Sequence, residues 1–108
     1  SPSPRPPPPA PVILNSNNPS ICVVSGNCVS RSTYLDNEAC SIEFSRRASL
    51  STDRFDTEFG YDFVTVYDPY PSGARFSGTT GFSNVMGTLM SWSTDGSVIR
   101  SGWKICAN

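Results

Sequence analysis

The chain has no histidine and a single lysine, Lys104. It therefore lacks the usual imidazole general base and the commonest transition-metal ligand. It has no excess of either charge: eight basic residues stand against nine acidic ones, and no basic stripe runs along the sequence. That balance leaves no electrostatic footprint for nucleic acid. No apolar run approaches the roughly 20 residues a helix needs to span a bilayer. No window carries a sustained 3.6-residue apolar period, and no internal repeat is visible. An N-glycosylation acceptor is missing too, since Pro19 blocks Asn18-Pro19-Ser20. Neither an initiator methionine nor a signal peptide is present, as expected of a mature product or a fragment.

What is present is unevenly placed. Seven of the first eleven of the 108 residues are proline. The remainder is enough for one small domain and not for two. Ser and Thr make up 26 residues, Gly and Pro add 18, and charged residues are only 16%. This is the vocabulary of a β-rich secreted module with many turns.

Residues 1–11, SPSPRPPPPAP, cannot enter a helix or a sheet interior, because proline fixes φ and removes the amide donor. An extended polyproline II segment is expected, rising about 3.1 Å per residue. It reads as a stiff linker or as a scaffold for O-linked sugar. The Ser-Pro repeat and the proline run also resemble the hydroxyproline-rich wall glycoproteins of plants and green algae. That resemblance implies hydroxylation and glycosylation at Ser1, Pro2, Ser3, Pro4, Pro6, Pro7, Pro8, Pro9 and Pro11. Arg5 reads as a solvated charge, with reach to a neighbour's acidic loop as the sharper alternative.

Cysteines stand at 22, 28, 40 and 106. Their spacing fits no zinc ribbon or CxxC motif, and an even count in a short chain favours two disulfides in an oxidising compartment. Of three possible pairings, Cys28–Cys40 with Cys22–Cys106 is preferred, since the second would staple the two ends of the domain. On loop-closure entropy each bridge contributes about 3 to 5 kcal/mol.

From Val12 onward short apolar or alternating runs appear at Val12–Leu14, Ile21–Val24, Cys40–Phe44, Ala48–Phe55, Phe63–Tyr67, Thr88–Trp92 and Trp103–Cys106. Turn residues separate them. Many short strands at this spacing predict an all-β antiparallel sandwich over residues 20–108, with 12–19 as a linker or first edge strand. Val64, Val66, Met90, Trp92, Trp103 and Ile105 should face the core. Tyr67, Tyr70 and Phe76 around YDPYPSGARF are candidates for an exposed contact patch or for a cap on the sandwich end.

The acidic residues carry the sharpest signal. Asp56, Glu58 and Asp62 lie close together in FDTEFGYDF, and Asp95 stands in STDGS. Each could be an ordinary turn residue. Yet Glu58 and Asp62 flank a Phe-Gly-Tyr turn, so both can point into one loop end, and Asp62 opens an apolar strand. A hard cation such as calcium takes six to eight oxygens and would balance such a cluster.

The segments CVSRSTYLDNEAC, FDTEFGYDFVTVYD and SWSTDGSVIRSGWKIC, in that order, resemble a CUB domain over about residues 20–107. The resemblance implies a jelly-roll β-sandwich outside the cell, often with calcium near one end. By position, Glu58, Asp62 and Asp95 match the acidic residues that hold calcium in calcium-binding members, Ser97 would add a backbone carbonyl, and Tyr34 matches the tyrosine packed beside the acidic loops. A second disulfide common in the family is absent at both partners, where this chain reads Phe59-Gly60 and Phe76-Ser77-Gly78. CUB domains are recognition modules and not catalysts. Two carboxylates can run glycoside hydrolysis, but a sandwich this small leaves little room for the cleft, and no histidine is present to activate a serine. The expected function is therefore a non-catalytic structural unit of a glycosylated surface, wall or matrix assembly, such as a filament, partnered by itself or by other extracellular proteins. Alternatives are a calcium-dependent carbohydrate- or protein-binding module, in which a partner's basic side chain engages the acidic residues around the ion, and an accessory domain of a larger secreted enzyme.

Overall fold

A computed structural model describes residues 11–68 and 73–108. Every regular element there is a strand: β1 (Leu14–Ser16), β2 (Val23–Ser25), β3 (Cys28–Ser32), β4 (Ala39–Asp56), β5 (Phe63–Tyr67), β6 (Gly73–Phe76), β7 (Val85–Ser93) and β8 (Gly102–Ala107). All pairings are antiparallel. The order is β2-β3-β8-β4-β7-β5-β6, with β1 also on β4. The all-β expectation holds. Of residues 1–11 only Pro11 is described, and it is exposed; the other expected glycosylation positions, Arg5 and Tyr70 lie outside the described residues.

The strand β4 joins the two halves of the fold. Its first half sits between β1 and β7, with Leu14 opposite Phe44 and Ile42 opposite Met90. Its second half pairs with β8, with Phe55 opposite Trp103. The sequence shows these halves as two runs because the ladder is irregular between Glu43 and Ala48. A further bulge at Asp53, between Thr52 and Arg54, inserts one residue and moves the inward face from Leu50 to Phe55.

The two wings enclose a single core. In β5 the alternation of Val64 and Val66 with half-buried neighbours is the period-2 signature. Val64, Val66, Met90, Trp92, Trp103 and Ile105 are all buried, as expected. Trp92 meets Trp103 edge to face with ring centroids 5.6 Å apart, and Tyr34 meets Trp92 at 4.9 Å. Trp103 Nε1 is buried without a hydrogen-bond partner among the described residues.

The disulfides correct the sequence reading. They join Cys22 to Cys40 and Cys28 to Cys106, not Cys22 to Cys106 and Cys28 to Cys40. The reason is register: β3 pairs with β8 so that Cys28 and Cys106 are direct partners, with Cα atoms 4.0 Å apart. Cys22 precedes β2 and lies buried beside Cys40. The long staple between the ends exists, but Cys28 makes it. Two disulfides in a small β domain fit a secreted protein.

Candidate functional site

Three connections meet at one end of the sandwich: β3–β4, β4–β5 and β7–β8. The middle one is a tight turn. The N–H groups of Tyr61 and Asp62 both donate to the Glu58 carbonyl, at 3.3 and 3.1 Å, and Gly60 supplies the left-handed φ of 81°. Glu58 and Asp62 thereby fall on the same side of the turn. The β7–β8 loop brings Asp95 to them through its own N–H, which donates to Asp62 Oδ1 at 3.0 Å. Carboxylate oxygens of Glu58, Asp62 and Asp95 all lie within 4.8 Å of one another. Among the described residues none of the three carries an ion pair.

Asp62 is the fixed member. It is fully buried, and both oxygens are engaged: Oδ1 by Asp95 and Oδ2 by the Tyr34 hydroxyl, which donates at 2.6 Å. Tyr34 is itself buried and accepts the Glu58 N–H at 3.0 Å. One hydroxyl thus ties the β3–β4 connection to both ends of the β4–β5 turn. Burial, and then the hydrogen bond to Asp62, raise the phenol pKa well above its ordinary value, so Tyr34 remains a donor. Thr57, buried below the turn, donates to the Asp62 carbonyl and accepts the Gly78 N–H.

Glu58 is the open member. Its carboxylate has no hydrogen-bond partner among the described residues. Partial desolvation, and then the negative charges of Asp95 and Asp62, push its pKa up against a smaller opposing pull from Arg100. Asp95 also accepts from the Ser97 N–H at 3.2 Å. Ser97 is exposed on the same loop. Asp56, which lies close to these acids in sequence, is engaged elsewhere, by the Ser101 hydroxyl and by Arg100. Three converging carboxylates can hold a metal ion: they supply hard oxygen donors from two loops, and no ion pair among the described residues neutralises them.

Sequence reasoning missed a second acid at this end. Glu38 is buried, accepts both arms of the Arg31 guanidinium at 2.8 Å each, and accepts the Trp92 Nε1–H at 3.0 Å. Its burial would raise the carboxyl pKa, but the hydrogen bonds from Arg31 and Trp92 outweigh that and hold it below its ordinary value. No periodicity signals a pair whose members come from different strands and loops. Of the aromatic patch, Tyr67 is half-buried in β5, and Phe76 packs on Phe82 with centroids 4.2 Å apart at the core margin.

No protein-family model, curated protein or solved structure matches the chain.

Proposed function

We propose that the chain is a non-catalytic extracellular interaction module of the CUB type, serving as a unit of a glycosylated surface or matrix assembly, with calcium holding its loop end. The observation that carries this reading is the approach of Glu58, Asp62 and Asp95 to within 4.8 Å with no ion pair to any of them among the described residues. A doubly charged hard cation is the neutraliser that suits three carboxylates, with backbone carbonyls such as that of Ser97 and water completing its six to eight oxygens. Tyr34 and the Asp95 N–H would orient Asp62 toward such an ion, as partners of a ligating carboxylate do. The ion would join the β4–β5 and β7–β8 loops into one rigid surface for a neighbour.

Several features speak against catalysis. The chain has no histidine. Asp62 is buried, and both of its oxygens are occupied by donors from within the protein, which leaves neither open to a substrate. The proline-rich segment supports the glycosylated-assembly part of the reading on composition.

Thermal melting in calcium and in EGTA, followed by electron microscopy of both samples, tests the proposal. Calcium at about 100 times its Kd is expected to add about 2.7 kcal/mol of stability, and the calcium sample is expected to form ordered oligomers or fibres. Identical melts together with dispersed single particles in both samples would overturn it.

A further inference from the structure

Beside the carboxylate cluster lies a pocket of about 470 Å³ between the β4–β5 turn, residues 77–80 and the β7–β8 loop. Its walls are tied together: the Gly60 N–H donates to Ser77 Oγ at 3.0 Å, and the Gly78 N–H to Thr57 Oγ1 at 2.9 Å. The Phe59 ring stands 79% exposed over Gly78. A Cβ at Gly78 would come within 3.2 Å of that ring, and its φ of 90° suits glycine alone. The aromatic face is therefore held outward against backbone instead of entering the core.

Around the ring stand polar groups with spare bonding capacity. Arg100 uses Nε on Asp56 Oδ1, and its terminal nitrogens have no partner among the described residues. Thr79 and Thr80 at the rim are exposed, and Glu58 lines the same space. The mixture selects its ligand. An anion would meet Glu58, backed by Asp62 and Asp95, and a cation would meet Arg100. A neutral polyol can donate to Glu58 and accept from Arg100 and the threonines, while its C–H face covers the phenyl ring. The volume lies in the range of about 300–1,000 Å³ found for small-molecule sites.

We infer that this pocket binds a neutral sugar ring, with Phe59 as the stacking platform and Arg100 and Glu58 as the polar clamp. The inference does not rest on the cation.

Amide NMR titration in EGTA tests it, with neutral tetrasaccharides of arabinose, galactose, mannose and glucose as probes and a tetragalacturonate as the acidic control. At least one neutral probe should shift the amides of Phe59, Gly60, Thr79, Thr80 and Arg100 below about 10 mM. Phe59→Ala should weaken that binding by about tenfold or more with the melt unchanged, and Arg100→Gln should weaken it as well. Absence of shifts with every neutral probe, tighter binding of the uronate, or wild-type affinity in Phe59→Ala would overturn the proposal. Because no calcium is present, the result is independent of whether the carboxylate cluster holds an ion.

Discussion

Two acidic centres share one end of this fold, and they are built on opposite terms. Glu38 is closed: Arg31 meets it with both arms, Trp92 adds a third bond, and its charge is balanced within the protein. The cluster of Glu58, Asp62 and Asp95 is open: its hydrogen bonds come from neutral donors, and among the described residues no ion pair reaches it. A balanced centre holds structure. An unbalanced one, with its members aimed at a common space, is poised for a charge from outside. The contrast also shows in titration: Glu38 is held below its ordinary value and Glu58 above it.

The largest break falls on the closed centre. Glu38→Gln leaves the Arg31 guanidinium without its counter-charge, and a loss of about 3 kcal/mol is expected. Urea unfolding should show this loss equally in calcium and in EGTA. Tyr34→Phe comes next. It strips a donor from Asp62 and an acceptor from the Glu58 N–H, for a loss of about 2 kcal/mol. Calcium affinity should fall with it, because Asp62 loses its orientation.

The smallest effect on stability, and the most telling in sign, is that of Glu58→Gln. In EGTA it should leave the domain as stable as the wild type or slightly more so, and in calcium it should remove the stabilisation. The pH dependence separates the centres further. A lowered native pKa gives Glu38 a stabilising contribution above the ordinary value of 4.5 that is lost as pH falls through its native value. A raised native pKa makes ionised Glu58 a penalty at neutral pH. That penalty is relieved as pH falls through its native value toward 4.5. Stability of wild type minus variant, measured against pH in EGTA, should therefore slope in opposite directions for Glu38→Gln and Glu58→Gln.

What was legible in the sequence follows from how local each signal is. The strand Phe63–Tyr67 appears at the expected bounds because FVTVY is a compact run of β-branched and aromatic residues with valine at every second position. The turn from Glu58 to Asp62 was legible because Gly60 and two flanking acids sit within five residues. The strands Cys28–Ser32 and Gly73–Phe76 were not seen, since CVSRS and GARF carry too few large apolar residues to show a period. Without the first of these, the register that sets Cys28 against Cys106 could not be read, and the disulfide preference went astray. Glu38 was invisible for a related reason: its partners, Arg31 and Trp92, are brought to it by tertiary packing alone.

The central claim is that the open cluster binds a cation. Isothermal titration of the calcium-stripped domain with calcium tests it most directly, run beside Glu58→Gln and Asp95→Asn. The account predicts a single site in the wild type, with heat abolished or affinity reduced by an order of magnitude or more in both variants. No calcium-dependent heat in the wild type, or unchanged binding in the variants, would contradict it.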